Sequence, residues 1–295
     1  MFEFLSDDYV EPTKKVKKVK KDPAIDIKKA INKHFRATPI VDDYLYDWIH
    51  PSSIGREPIS ELVFRYWRGR EPETFDISKE LMFDTGHFYH SYIQKILYEM
   101  GILAGQEGFV QTTKPYTFPT FKEERIRNKQ YRLSCRTDGI ISLDRLWWYQ
   151  KPVGDMPEPT NLILWDLKST NTFSYKNCNE SDDLDVNYKL QAECYFLVSD
   201  LNSLVFSFLN KDSHIFKNIR YNSESEHYNK VKEKCLEVLG HIVNETIPTN
   251  MDMTKTQFKK FISDYYKTNG EGRKMVEKNG EFWQVKELNK ETKNA

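Results

Sequence analysis

The chain has 295 residues, 39% of them hydrophobic and 14% aromatic, which is enough apolar material for one large domain or two smaller ones. Its 44 basic and 44 acidic residues give a formal net charge of zero. This balance excludes a global basic field that would attract a polyanion, so any nucleic-acid binding must come from local patches. No long apolar run and no signal-peptide pattern occurs, so we expect no membrane partner.

The cysteine pattern indicates the cellular compartment. The four cysteines form no C-x-x-C pair and show no zinc-like spacing: Cys135, Cys178, Cys194 and Cys235. We therefore expect free thiols in the cytoplasm of a bacterium or of a phage-infected host cell. The Lys-, Asn- and Tyr-rich composition also favours an AT-rich genome, such as that of a phage.

The N-terminal quarter of the chain is predicted to be a tail followed by helices. Residues 1–22 contain the run KKVKKVKK (Lys14 to Lys21), which has little to bury and predicts a flexible basic tail. Both a phosphate-binding arm and a purely solvated tail fit this composition. From Pro23 a helical pattern begins, and we assign residues 23–125 to a helical N-terminal region.

A first amphipathic helix follows the segment IHPSSIG (Ile49 to Gly55). Its apolar residues recur at intervals of three and four: Ile59, Leu62, Val63, Tyr66 and Trp67. Arginines lie on or near its polar side: Arg56, Arg65, Arg68 and Arg70. A solvent-facing surface and a contact with phosphate are both open for them.

The next helix is predicted from about Ser78 to Met100, because Gly101 is a usual helix-stop residue. One stripe of this helix contains the residues Phe83, Gly86, His90, Ile93 and Leu97. His90 is therefore either a satisfied core histidine or, if carboxylates converge on it, a metal ligand. His87 is the competing candidate, and Gly86 would let another segment approach closely.

After a Thr- and Pro-rich connection (Gln111 to Thr120) the period changes from helical to strand. The segment Tyr131 to Leu143 is predicted as a strand or hairpin with Asp138 inside it, directly before Gly139. An Asp within a strand opposes β propensity, so either the chain turns there or the acid is held for a purpose. Trp147 to Thr160 is predicted to be a long hairpin connection.

The stretch Asn161 to Thr170, NLILWDLKST, has the strongest strand pattern in the chain. Because strand side chains alternate, Asp166 and Lys168 share one face with leucines, and Leu167 lies on the other face with Ile163 and Trp165. Apolar residues on both faces predict a central strand that is covered on both sides. A buried acid and amine at its end are either a salt bridge or a binding site.

The second half of the chain predicts a crossover unit. An acidic linker (Asn177 to Asp185) leads to a helix, Asp185 to Ser199, in which Gln191 and Tyr195 are neighbours on one face. A strand from Ser203 to Lys211 follows and should run parallel to the earlier one. We assign residues 126–250 to an α/β core. A helix from Glu226 to Val243, a Lys-rich helical segment from 251 and a tail from about Glu287 complete the chain.

Taken together, the motifs Gly86-x-x-x-His90, Asp138, Asp166-x-Lys168 and Gln191-x-x-x-Tyr195, with IHPSSIG upstream, resemble the PD-(D/E)XK nuclease superfamily. The order of the motifs and the elements that carry them are similar to its RecB-like branch, which includes phage exonucleases. The resemblance covers about residues 49–211. It implies a restriction-endonuclease-like α/β core, with a mixed central sheet flanked by helices.

Phosphodiester cleavage needs a nucleophilic water and relief of charge in the transition state, and a hard cation supplies both. Asp138 and Asp166 offer the oxygens that Mg²⁺ or Mn²⁺ prefers, and His90 adds a nitrogen suited to Mn²⁺. The resemblance implies the carbonyl of Leu167 as a further metal ligand. Lys168 can orient the attacking water or stabilise developing charge.

Two assignments around these residues stay open. Gln191 and Tyr195 either position the phosphate and brace the site or serve core packing. The long connection after residue 146 also leaves Asp144 as an alternative to Asp138. Some members of the branch hold an iron–sulfur cluster with one cysteine before the His motif and three near the C-terminus. No cysteine precedes His90 here, so we expect no such cluster.

The leading hypothesis is a metal-dependent DNA nuclease, an exonuclease that acts on DNA ends in recombination, repair or replication. Its partners would be DNA and a recombination or replication protein. Two alternatives are a non-catalytic DNA-binding or assembly module of the same fold and a structure-specific endonuclease. Retention of His90, Asp138, Asp166 and Lys168 favours activity, because burying charges without a use is costly.

Overall fold

A mixed five-stranded sheet lies at the centre of the molecule. The structure is a computed structural model, and it describes residues 47–69, 77–104, 109–110, 120–121, 125–180 and 184–294. The described helices are α1 (Pro51–Ile54), α2 (Ile59–Arg68), α3 (Ile77–Glu99), α4 (Leu143–Gln150), α5 (Thr172–Glu180), α6 (Val186–Val198), α7 (Ser225–Val243), α8 (Lys255–Asn269) and α9 (Val285–Asn294). The described strands are β1 (Leu103–Ala104), β2 (Phe109–Val110), β3 (Thr120–Phe121), β4 (Arg125–Asn128), β5 (Leu133–Arg136), β6 (Gly139–Ser142), β7 (Leu162–Thr170), β8 (Ser203–Asn210), β9 (Phe216–Asn222), β10 (Met275–Lys278) and β11 (Glu281–Gln284). The predicted basic tail at 1–22 and the helical stretch from Pro23 lie outside the described residues.

The central sheet has the strand order β1-β6-β7-β8-β9. β7 runs parallel to β8, from Leu164 opposite Leu204 to Thr170 opposite Asn210, whereas the other neighbouring strands are antiparallel. Helices α5 and α6 connect the two parallel strands, which confirms the predicted crossover unit. No described helix is long and apolar enough to cross a lipid bilayer.

The two faces of β7 are covered by different helices, as the alternation in its sequence predicted. Leu164 packs in a large core with residues of α6 and α7. Ile163, Trp165 and Leu167 pack in a second core on the opposite face, against residues of α3. The strand is therefore central and buried on both sides, with Asp166 and Lys168 on the face that α6 covers.

Helix α3 ends close to the predicted position, because Gly101, two residues after Glu99, adopts a left-handed conformation with a φ of 67°. The predicted apolar stripe is only partly correct. Ile93 and Leu97 pack against the second core, but Phe83 is 43% exposed. The packed part of the helix is its C-terminal half, where Gln94 and Ser91 are also buried.

Tyr131 to Leu143, predicted as a strand or hairpin, is neither: it forms two strands that belong to different sheets. β5 pairs with β4 in a separate hairpin, and only β6 joins the central sheet. Asp138 lies in the break between β5 and β6, so the acid marks the point where the chain changes sheets. Gly139 is closely approached by the side chain of Leu103, as a glycine at this position suggested.

Three further segments differ from the sequence-based prediction. The connection between β6 and β7 begins with helix α4, which Ser142 caps by accepting a hydrogen bond from the amide of Arg145. The predicted linker from Asn177 is helical up to Glu180. The residues from Glu287, predicted to be a tail, belong to helix α9, and the hairpin of β10 and β11 before it was missed.

A buried arginine explains why the C-terminus is structured. Arg132 is fully buried, and its guanidinium forms ion pairs with Asp47 at 2.8 Å and with Glu287 at 3.0 Å. It also donates to the carbonyl of Phe282 in β11. Removing one partner of a buried ion pair is strongly destabilising, so this contact ties α9 and β11 to the rest of the protein. The domain boundaries at residues 22, 125 and 250 stay predictions.

The packing of α1 against α6 depends on Gly55. A β-carbon on Gly55 would lie 2.7 Å from the Cα atom of Asn187, at the first turn of α6, so only glycine fits here without movement of backbone. Its φ of −77° and ψ of −30° are accessible to any residue. The close approach, and not the backbone conformation, is therefore the reason for glycine at this position.

We expect Gly55→Ala to lower the free energy of unfolding by about 1–3 kcal/mol, because the added methyl group overpacks a backbone contact. Gly240→Ala is the matched control. Gly240 lies in α7, where an added β-carbon meets nothing within 4 Å. It should raise stability by up to about 1 kcal/mol, because alanine favours the helix. Urea unfolding followed by circular dichroism measures both, and equal effects would contradict the tight α1–α6 contact.

Candidate active site

Two carboxylates leave the central sheet at the same point. The ladder between β6 and β7 ends with Gly139 opposite Trp165. Asp138 directly precedes Gly139, and Asp166 directly follows Trp165, so the two acids are one residue beyond the last pair on each strand. Asp138 Oδ2 accepts a hydrogen bond of 2.6 Å from the amide of Leu167, which links the two strands past the end of the ladder.

Asp166 is held by side chains from its own strand and from α6. It is only 3% exposed. Its Oδ2 accepts hydrogen bonds from Tyr195 Oη at 3.0 Å and from Gln191 Nε2 at 3.3 Å, and Gln191 also donates to Tyr195 Oη at 2.8 Å. Gln191 and Tyr195 therefore both contact the carboxylate, and their one-turn spacing on α6 makes this possible. Whether they brace the site or serve core packing stays a prediction.

The other oxygen of Asp166 has a different environment. Lys168 Nζ lies 2.6 Å from Oδ1 in an ion pair. Within the described residues, however, no donor reaches Oδ1 with the angles of a hydrogen bond, although the atom is buried. The charge of the Lys168 ammonium therefore compensates this buried oxygen, in place of a hydrogen bond of regular geometry.

Asp138 is contacted from the opposite face of the sheet by α3. His90 Nδ1 lies 3.2 Å from Asp138 Oδ1, and the carbonyl of Asp138 accepts a hydrogen bond of 2.8 Å from Gln94. The side chain of His87 is exposed, whereas that of His90 is partly buried beside Asp138. A β-carbon on Gly86 would lie 3.4 Å from Ser169 Oγ, which shows how near this helix passes to the end of β7.

Burial and neighbouring charges separate the proton affinities of the two acids. Burial raises the pKa of Asp166, and the charge of Asp138 adds to this against the opposing effect of Lys168. Burial also raises the pKa of Asp138, but His90, the charge of Lys168 and the hydrogen bond from the amide of Leu167 together outweigh it, so this pKa is lowered. Burial and the charge of Asp166 raise the pKa of Tyr195, which keeps its hydroxyl a donor.

The remaining predicted ligand is the backbone carbonyl of Leu167. In a strand, the amide and the carbonyl of one residue point to the same side of the strand. Since the amide of Leu167 donates to Asp138, the carbonyl of Leu167 points to the same side of β7, beyond the last residue pair with β6. The oxygen is thus not used by the β6 ladder and lies at the same edge as the two acids.

Asp144, the alternative acid, lies elsewhere. It belongs to the first turn of α4, beyond the opposite end of β6, and accepts a hydrogen bond of 2.6 Å from Thr160. Of the two candidates, Asp138 is therefore the acid at the site. The long connection after residue 146 leaves the pairing of Asp138 with Asp166 unaffected, because it joins the other ends of β6 and β7.

The acids and the histidine do not form a complete set of metal ligands. In the part of the chain that the structure describes, no group of three or more His, Cys, Asp or Glu side chains is arranged to hold a metal ion. His90 contacts Asp138, and Asp166 is engaged by Lys168 instead. The set of His90, Asp138, Asp166 and Leu167 accordingly stays a prediction.

Sequence reasoning missed two residues at the site. Gln94 is 1% exposed and lies one turn after His90, where its polar side chain on a buried helix face was an available signal. The second is Tyr188, whose ring is 5.8 Å from Lys168 Nζ and packs edge-on against Phe208.

Comparisons with known proteins give limited information. No protein-family model matches the chain, and no curated protein matches it by sequence. Among solved structures, an alkaline exonuclease (LHK-Exo) from Laribacter hongkongensis aligns with a TM-score of 0.41 at 11% identity, over 71% of this chain and 91% of that one. LHK-Exo in complex with dAMP aligns with a TM-score of 0.43 at 10% identity, over 76% and 93%.

A third structure, SSO0001, aligns with a TM-score of 0.38 at 11% identity, over 72% of this chain and 86% of that one. At these identities and TM-scores, the likenesses assign neither a fold family nor an activity to this chain.

Tyr195→Phe distinguishes bracing of Asp166 from core packing, because it removes the hydroxyl and keeps the ring. We expect the free energy of unfolding to fall by about 1–2 kcal/mol, since Asp166 loses a buried hydrogen bond. Tyr92→Phe on α3 is the control, because Tyr92 is half-exposed and its stacking on Phe88 is retained. Calorimetry or urea unfolding measures both. If both variants lose an equal and negligible amount of unfolding free energy, core packing alone is favoured as the role of Tyr195.

Proposed function

We propose that this chain is a metal-dependent DNA nuclease with a restriction-endonuclease-like core of the RecB-like, phage exonuclease branch. It hydrolyses phosphodiester bonds and works as an exonuclease on DNA ends in recombination, repair or replication. One observation carries the proposal. A buried carboxylate at the end of the central strand is paired with a lysine two residues later, beside a second carboxylate.

The oxygen donors at the site are of the chemical kind that suits a hard divalent cation. Carboxylate and carbonyl oxygens are the ligands that Mg²⁺ and Mn²⁺ prefer, and Asp166 Oδ1 is buried beside the Lys168 ammonium, whose positive charge a bound cation would replace. Asp138, Asp166 and the Leu167 carbonyl would hold the cation, with His90 as a possible nitrogen ligand. When bound, it supplies charge neutralisation at the phosphate and a more acidic water.

Lys168 has the position of a group that acts on the reacting phosphate. Its ammonium is 2.6 Å from Asp166 Oδ1, and its side chain is partly exposed, so it can reach both the acid and a substrate. A fixed positive charge at this position can orient the attacking water and stabilise charge that develops on the phosphate oxygens. The ion pair with Asp166 keeps the lysine in place before substrate binds.

The hydrogen bonds from α6 orient the other oxygen of Asp166. Gln191 and Tyr195 both donate to Oδ2, which leaves Oδ1 on the lysine side. Supporting donors of this kind fix a ligand carboxylate and are needed for full activity in known metal sites. Their role is to position Asp166, and no contact with substrate is required of them.

The ion pair between Asp166 and Lys168 also permits a second function, a non-catalytic DNA-binding module in which the pair is purely structural. Purified protein incubated with linear and with closed-circular DNA, in Mg²⁺ or Mn²⁺, tests the two. We expect linear DNA to be degraded from its ends and closed circles to persist. Cleavage of circles would indicate an endonuclease instead. Binding without cleavage of either substrate would favour the module.

Lys168→Ala is expected to lower the cleavage rate by a factor on the order of 10²–10³, with folding and DNA binding retained. Binding persists because affinity for DNA is spread over many phosphate contacts. Lys267→Ala, which removes a largely exposed lysine in a surface ion pair on α8, is the control and should leave the rate unchanged.

Asp166→Ala should also abolish cleavage, but through loss of the cation. Raising Mn²⁺ is therefore expected to restore part of its activity and none of the activity of Lys168→Ala. If both substitutions lower only thermal stability and leave the cleavage rate per folded molecule unchanged, the pair is structural.

A further inference from the structure

An exposed arginine outside the acid cluster shares an aromatic ring with Lys168. The guanidinium of Arg56 is 6.0 Å from the centre of the Tyr188 ring, and Lys168 Nζ is 5.8 Å from the same centre. Tyr188 is itself fixed by Phe206 and Phe208, whose rings lie 5.5 Å and 5.4 Å from its own. The two cationic groups therefore lie within about 12 Å of each other, at one anchored ring.

Arg56 has no ion-pair partner among the described residues, in contrast to two other arginines of the protein. Arg65 binds Glu57 at 2.7 Å and donates to Ser53, and Arg132 is buried between two carboxylates. Arg56 is exposed, so its guanidinium is available to an external anion. Guanidinium groups bind phosphate through two parallel hydrogen bonds, which a lysine cannot do.

The backbone around Arg56 is held rigidly relative to the acids. Gly55 abuts the first turn of α6, the helix that carries Gln191 and Tyr195. Lys234 from α7 donates to the carbonyls of Ile54 at 2.6 Å and of Glu57 at 2.5 Å, one before and one after this turn. Three elements of the core thus position a solvent-exposed side chain, which is typical of a binding group.

We propose that Arg56 binds the phosphate of a DNA strand next to the phosphate that is cleaved. This inference rests on the proposed nuclease function. The separation of Arg56 and Lys168 is limited by their distances to one ring, and each strand of a DNA duplex rises by about 3.4 Å per nucleotide along the helix axis. A strand whose scissile phosphate lies at Lys168 therefore presents its neighbouring phosphates within reach of Arg56.

The test measures binding in EDTA, where cleavage is absent, and uses a matched control. The control is Arg68→Ala, which removes the same charge at the far end of α2, about 14 Å along the helix axis from Ile59. Like the guanidinium of Arg56, that of Arg68 lies near an aromatic ring, 5.2 Å from the centre of the Phe64 ring. We expect Arg56→Ala to weaken binding on the order of tenfold and to reduce the salt slope by about one. Arg68→Ala should change neither, and both variants should keep the thermal stability of the parent.

A set of oligonucleotides, each with one neutral methylphosphonate, locates the contact. With the parent protein, one position beside the cleaved phosphate should weaken binding, and this sensitivity should vanish in Arg56→Ala while it persists in Arg68→Ala. Arg56→Lys should restore the salt slope and only part of the affinity. The proposal is overturned if Arg56→Ala keeps the salt slope and the methylphosphonate pattern of the parent, or if the parent does not bind DNA.

These outcomes separate the two proposals. Loss of the contact in Arg56→Ala, in a protein that cuts no DNA with either metal, supports the phosphate contact and contradicts the nuclease. Cleavage by the parent together with unchanged binding by Arg56→Ala supports the nuclease and contradicts the contact.

Discussion

The buried carboxylate of Asp166 is the constraint on which the site depends. A charge this far from water is tolerated only when other groups compensate it, and breaking such an arrangement costs about 3–5 kcal/mol. Here the compensation comes from Lys168 on the same strand and from two donors on α6. The crossover from β7 through α6 to β8 therefore does more than connect two parallel strands, because it delivers the donors that hold the acid.

Helices from both faces of the sheet meet at the end of β7. α6 lies on one face and contacts Asp166, whereas α3 packs on the other face and contacts Asp138 through His90. They can meet because β6 begins only at Gly139, so the sheet is open on that side of β7 beside Leu167. Open α/β sheets commonly bind ligands at the carboxyl ends of their strands, and this opening lies at that end of β7.

The parts of this arrangement that could be predicted are those with a local period. Alternation fixed the faces of β7 and hence the shared side of Asp166 and Lys168, and the one-turn spacing placed Gln191 beside Tyr195. What these two residues contact, and that Gln94 supports Asp138, depends on tertiary packing. Arg132 and Glu287 are 155 residues apart, and no local signal joins them, so helix α9 was predicted as a tail. Asp138 could be singled out because an Asp within a strand opposes β propensity, although the strand predicted around it was longer than either observed strand.

We propose that Asp138, Asp166 and the Leu167 carbonyl together hold a divalent cation. Anomalous diffraction from crystals soaked in Mn²⁺ tests it most directly. The predicted result is a peak within roughly 2.0–2.6 Å of an oxygen of each acid and of the Leu167 carbonyl, accompanied by movement of Lys168 away from Asp166 Oδ1. A peak at any other place, or no peak at saturating Mn²⁺ with the Lys168–Asp166 pair intact, would contradict the claim.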